Sequence, residues 1–187
     1  MFVRIVLFAV ILSVTACATD AERDSPRPAK WAQRIAVDGV PNLHRISSML
    51  YRSGQPSAAG MKNLEALGIR TVINLRATRS DTGEAQDTSL RLLRTRIYTW
   101  HVTDEQVIEV LRELRRAGDG PFLIHCNHGS DRTGLMSAMY RVLEENWTPE
   151  DALTEMTEGG YGFHSIWTNI PRYLRNADLR KLREAID

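Results

Sequence analysis

Cysteine is almost absent from this chain, with only Cys17 and Cys126 among 187 residues. That excludes a disulfide-stapled small domain and the spaced ligand pairs of a structural zinc module. A surplus of one charge is absent too: 24 basic side chains face 23 acidic ones, so no net field points to nucleic acid as a partner. No apolar run reaches the ~20 residues that a bilayer-spanning helix needs. No internal repeat appears, and no linker divides the chain after residue 40. What remains is an ordinary soluble composition, 43% hydrophobic and 25% charged, of a length that one buried core accommodates.

The longest apolar stretch, residues 5–14, follows Arg4 and leads into Val14-Thr15-Ala16-Cys17. A basic start, a short apolar core and small residues before a cleavage point make an export signal. The last four residues resemble a bacterial lipoprotein box. That implies a signal peptide over residues 1–16, cleavage before Cys17, and lipid attached to the Cys17 thiol and amine. A plain secretory signal with an incidental Cys17 is the alternative. Ala18 resembles the residue found in lipoproteins sorted to the outer membrane, so the expected location is the bacterial envelope, facing the periplasm. Residues 19–30 (TDAERDSPRPAK) carry two prolines and almost no large apolar side chain, and burial cannot offset their ordering entropy. The expected division is a lipidated, flexible tether over 17–39 and one folded domain over 40–187.

Beyond residue 40, short apolar runs alternate with helix-period segments, the pattern of an α/β domain with a largely parallel sheet. Strands are expected at 49–52, 71–75, 96–100 and 122–125. Helices are expected at 57–67, closed by Gly68, and at 84–93. A third spans 103–116, where Thr103 and Gln106 have capping-box spacing. The stretch 133–146 carries an apolar stripe, Thr148-Pro149 starts another helix, and one last helix runs from 171 to the end.

The segment 122–134 reads FLIHCNHGSDRTG, a strand, a tight loop and a helix start. A thiol at a helix N-terminus beside a guanidinium ionises more readily than a free one. Successive backbone N–H groups in such a loop form an anion nest, and a glycine permits the turn. Arg132 adds a planar fork that matches phosphate oxygens, and the Thr133 hydroxyl lies one residue on, where it could bond the sulfur. These are the parts that phosphoryl transfer to a thiolate needs.

HCNHGSDRTG resembles the HC-x5-R-[ST]-G signature of the protein tyrosine and dual-specificity phosphatase superfamily. YRSGQPS and GIRTVINLR resemble the opening segments of its small bacterial secreted members. The resemblance spans roughly residues 40–175. It implies a central, mostly parallel four- to five-stranded sheet flanked by helices, and catalysis through a phosphocysteine on Cys126 with no cofactor and no metal. It casts Asn127, His128, Gly129, Ser130, Asp131 and Arg132 as the phosphate-binding loop and His125 as its hydrogen-bonded support. The mechanism also needs a carboxylic acid for the leaving oxygen. By family position this falls to Asp104, with Glu105 behind it. The Trp-Pro-Asp form of the acid loop is missing, and an acid in a helix's first turn is stabilised there without any catalytic role. Asp131 is the rival, because an aspartate just before the loop arginine resembles phosphoinositide phosphatases of the myotubularin type; orientation of Arg132 is its other reading.

The remaining candidates have plainer expectations. His128 belongs at the mouth of the site, while His101 and His164 are read as surface or packing residues. Trp147, Tyr161 and Trp167 are read as core or rim aromatics. Arg76 and Arg79 are read as solvated loop charges within reach of a second anionic group. The leading function is hydrolysis of phosphotyrosine, or of phosphotyrosine and phosphoserine/threonine, in proteins. Inositol-phosphate or phosphoinositide hydrolysis and a phospho-ligand module without turnover are the alternatives. A thiol protease pairing Cys126 with His164 has no supporting pattern.

Overall fold

The computed structural model describes residues 28–187; the expected signal segment, Cys17 and the first part of the expected tether, through residue 27, lie outside the described residues. Six strands form one mixed sheet: β1 (Gln33–Arg34), β2 (His44–Arg45), β3 (Leu50–Ser53), β4 (Thr71–Arg76), β5 (Arg91–Ile97) and β6 (Phe122–His125). Their order is β1-β2-β3-β6-β4-β5. The four from β3 to β5 run parallel, and β1 and β2 add an antiparallel edge. Six helices accompany them: α1 (Ala58–Ala66), α2 (Asp104–Leu114), α3 (Asp131–Leu143), α4 (Pro149–Glu158), α5 (Asn169–Asn176) and α6 (Leu179–Ile186).

The two central strands, TVINLR and FLIH, are buried almost throughout, as strands covered on both faces must be. One apolar cluster gathers β6, α2, α3 and the C-terminal helices; a smaller one lies under α1 around Met61 and Leu64. α3 sits deepest, with Leu135, Met136, Met139 and Val142 fully buried. Its N-terminus is thereby fixed directly beyond the end of β6. The helix starts follow local chemistry. Thr103 and Gln106 close a full capping box, and Thr148 caps α4 with Pro149 in its first turn.

Several boundaries differ from the sequence expectation. The stretch 84–93 is not a helix: turns fill 84–88, and Arg91 opens β5 against Thr71 of β4. A short apolar run reads equally well as helix or buried strand, and here Arg91 is drawn into the sheet by ion pairs to Glu113 and Asp119. The strand expected at 96–100 therefore ends at Ile97. The last helix is two, because Ala177 turns extended and Asp178 caps a new start at the Lys181 N–H. Order also begins ahead of residue 40, since Ala32 is buried and its N–H donates to the Glu155 carboxylate at 2.6 Å.

Candidate active site

The chain leaves β6 at His125, turns through residues 126–130 and enters α3 at Asp131. The turn is held from behind. Gln55 N–H donates to the Asn127 carbonyl (3.0 Å), Asn42 Nδ2 to that of His128 (3.0 Å), and Arg52 Nη2 to that of Gly129 (2.6 Å). Three successive carbonyls are thus turned toward the β3 side. The backbone N–H groups of residues 127–132 take no partner among the described residues, which is the arrangement of an anion nest. Gly129 has φ +76°, and a Cβ there would stand 2.5 Å from Gly54 N. Only glycine lets this loop lie against Gly54.

Cys126 heads the loop and is buried. Two polar atoms beside it are buried without a hydrogen-bond partner, Arg132 Nε and Thr133 Oγ1. The Arg132 guanidinium has one long bond, from Nη1 to the Ile97 carbonyl at 3.4 Å. Orphaned buried donors are rare and ask for an explanation; an oxyanion seated in the loop would satisfy Arg132 Nε, while the bond expected from the Thr133 hydroxyl to the Cys126 sulfur is not made.

A buried relay reaches the Cys126 carbonyl through His125, the residue expected as a loop support; its members Asp81 and Gln55 were not among the sequence candidates. His125 places Nδ1 3.2 Å from the Cys126 carbonyl and Nε2 2.8 Å from Asp81 Oδ2. Both ring nitrogens face oxygen atoms, so the imidazole is held at its two ends. Asp81 Oδ1 accepts from Gln55 Nε2 (2.9 Å), and Gln55 Oε1 accepts from Arg76 Nη1 (2.5 Å). Burial alone would raise the Asp81 carboxyl; hydrogen bonds from His125, Gln55 and Asn74, with the charge of His125, hold it below its ordinary value. The chain Arg76-Gln55-Asp81-His125 thus runs from the cleft wall to the back of the nucleophile loop.

A cleft of about 550 Å³ opens above the loop. Asn127, His128, Asp131 and Arg132 form its floor, Arg76, Ala77 and Thr78 one wall, and Tyr98, Thr99 and Trp100 the other, with His164, Ile166 and Trp167 at the rim. Among the described residues, Asp131 is the only carboxylate lining it. Its oxygens accept from the His164 N–H (2.9 Å) and from His164 Nδ1 (2.9 Å), so His164 is a site residue rather than a packing one. Arg76 lines the cleft and Arg79 does not.

Asp104 is not brought to this cleft. It opens α2 and faces a neighbouring cavity, where it accepts from Tyr173 Oη (2.9 Å) and Lys181 Nζ (3.0 Å). The Lys181 hydrogen bond, with help from Tyr173, holds its carboxyl below the usual range, and burial together with Asp104 pushes the Tyr173 phenol well up. Glu105 lines neither cavity; its own backbone N–H at the start of the helix lowers its carboxyl. The first-turn role that the dipole gives an acid accounts for both.

Residues 35–168 match the family model described as DSP-PTPase phosphatase fused to NAD+ kinase. The chain is 38% identical over 167 residues to the dual specificity protein phosphatase TpbA of Pseudomonas aeruginosa, covering 89% of this chain and 75% of that one. A crystal structure of TpbA in complex with phosphotyrosine superposes with a TM-score of 0.77 at 36% identity, over 86% of this chain and 98% of that one. An inositol diphosphatase of Arabidopsis thaliana is 28% identical over 125 residues, 62% of this chain and 60% of its own length.

Proposed function

The chain belongs to the tyrosine and dual-specificity phosphatase family, and on that premise we propose that it dephosphorylates proteins, phosphotyrosine first, at the Cys126 cleft. The observation that carries this reading is the ring of backbone N–H groups over residues 127–132 without partners among the described residues, closed by Arg132, whose buried Nε is unsatisfied and whose Nη1 makes one long bond. Donors preorganised around developing charge are worth most in such a dry site. The Cys126 sulfur attacks phosphorus while the bond to the substrate oxygen breaks, and that oxygen takes a proton from Asp131. Water then attacks the phosphocysteine, Asp131 takes its proton back, and the S–P bond breaks to release phosphate. His164 orients the Asp131 carboxyl for both steps.

The wall of Tyr98 and Trp100, with Ile166 at the rim, favours an aromatic phosphoester over an inositol phosphate. Trp100 is 64% and Ile166 80% exposed, and exposed apolar groups beside a polar floor suit a ring. Inositol diphosphate hydrolysis is the second reading; the Arabidopsis relative and Asp131 within the loop favour it.

Turnover of p-nitrophenyl phosphate, an alkyl phosphate, phosphopeptides and inositol phosphates tests the reading. Cys126→Ser abolishes turnover of all of them. Asp131→Asn lowers the rate on the poor leaving group by about 10²- to 10⁴-fold and spares the activated ester, whereas Asp104→Asn leaves both near wild type. The reverse ranking of the two aspartates would remove Asp131 from the mechanism. For location, the reading is an exported lipoprotein of the outer membrane, facing the periplasm and anchored through Cys17; residues 14–17 support it.

A further inference from the structure

Beside the Cys126 cleft lies a second cavity of about the same size, ~550 Å³, with Trp100 common to both. Its other walls come from the start of α2, from α5 and from the start of α6. The two hollows are mechanically joined, because Asn169 Nδ2 at the head of α5 donates to the Thr99 carbonyl at 2.9 Å. Trp100 stands between them with most of its ring uncovered. Any polypeptide that seats a phosphorylated side chain over Cys126 and continues past Trp100 covers that ring and enters the second cavity.

The charges of this cavity are unevenly committed. Asp104 is matched by the Lys181 ammonium and the Tyr173 hydroxyl. Asp178 caps α6 by accepting from the Lys181 N–H at 3.0 Å, where the helix dipole favours a negative charge. The side chain of Arg172, exposed on α5, has no hydrogen bond or ion pair among the described residues, although the next arginine on that helix, Arg175, is paired with Glu150. Among the described residues the guanidinium is therefore the one charged donor of this cavity left without an acceptor, and its planar fork matches a carboxylate.

We propose that the second cavity is a subsite for the polypeptide flanking the phosphorylated residue, in which Arg172 takes an acidic side chain of the substrate. This rests on the protein-substrate reading above. An exposed ion pair of this kind is worth about 3- to 5-fold in binding, enough to rank substrates without deciding catalysis, and added salt screens it. The subsite also gives Asp104, Tyr173 and Lys181 a shared task, since their bonds hold α2 and α6 together as its far wall.

The test measures kcat/KM of the full chain on matched phosphotyrosine peptides whose neighbouring positions carry Asp, Ala or Lys, with p-nitrophenyl phosphate as a substrate too small to leave the first cleft. Wild type prefers the acidic peptides by about 3- to 5-fold, through KM, and loses the preference at high salt. Arg172→Ala levels the series and Arg172→Glu inverts it toward the Lys peptides, while the small ester is turned over equally by all three proteins. Peptide turnover with no neighbour preference, or a preference that survives Arg172→Glu, overturns the subsite alone. Turnover of the small ester with none of any phosphopeptide overturns both the subsite and the protein-substrate reading.

Discussion

A carboxylate shut away from water persists only where donors surround it, and Asp81 has that company in His125, Gln55 and Asn74. Its partner His125 is wholly buried and touches the carbonyl of Cys126 itself, so Asp81 acts on the nucleophile loop through one intermediary. Asp81→Asn takes away the charge and should cost about 1.5–3 kcal/mol of stability near neutral pH, read as a shift in the urea midpoint. The sign with pH follows from the lowered carboxyl. The Asp81 contribution is complete above its ordinary value of 3.8 and is lost as pH falls below it, through the still lower folded value. The gap between wild type and Asp81→Asn should therefore be constant from pH 7 to about 5 and close below about 4. A gap unchanged at pH 3 would show that the ionised carboxylate contributes nothing. The same variant should lower kcat/KM on p-nitrophenyl phosphate, because the displaced loop carries both the Cys126 nucleophile and the N–H groups that hold the phosphate.

Among the elements, the parts that local chemistry fixes were legible and the parts that tertiary contact fixes were not. The capping pair Thr103/Gln106, the Thr148-Pro149 start and the buried run FLIH lie where their own residues put them. The strand β5 and the break at Ala177 depend on partners far away in sequence, so 84–93 and the C-terminus were misread. The site divides in the same way. The loop from Cys126 to Gly134 is contiguous and could be read directly, whereas Asp81 and His164 carry no local signal, and they, like Gln55 of the YRSGQPS segment, reach the loop only through the fold. Asp104 failed as a cleft residue for the converse reason, since its position in sequence is right but α2 turns it toward Lys181. Another long-range contact of this kind is the buried pair Arg141–Glu155, 2.8 Å apart, which joins α3 to α4. Glu155 also accepts from Ala32 N–H and Tyr161 Oη, so it ties in the lead-in to β1 and the segment that takes the Ser130 hydroxyl bond through the Tyr161 carbonyl. Glu155→Ala removes one of two carboxylates paired with the buried Arg141 guanidinium, Glu145 remaining at 2.5 Å, and should destabilise the protein by about 3 kcal/mol, the lower end for a broken buried pair, in urea titration. Glu155→Gln, which keeps acceptors for Ala32 and Tyr161, should cost less.

At the scale of the whole molecule, a folded domain whose first buried residue among those described is Ala32 is joined to a cysteine at position 17 by a segment with few large apolar side chains. Chain geometry limits that connection to about 3.5 Å per residue, roughly 50 Å in all. Lipid at Cys17 would hold the cleft within one tether length of the membrane, and phosphorylated segments near the surface would meet it at raised effective concentration. Anchorage and chemistry are separable on this view, because the signal segment and the Cys126 loop lie more than a hundred residues apart and all of the cleft comes from residues 76–167. Cells producing the wild type should incorporate labelled palmitate into the protein and retain it with the membranes through salt washing. Cys17→Ser should lose the label and appear in the soluble fraction, with kcat/KM on p-nitrophenyl phosphate unchanged. Membrane retention of Cys17→Ser would mean an uncleaved apolar signal is the anchor. Release of the wild type into the soluble fraction would point instead to a plain secretory signal, with Cys17 incidental and the phosphatase free to diffuse.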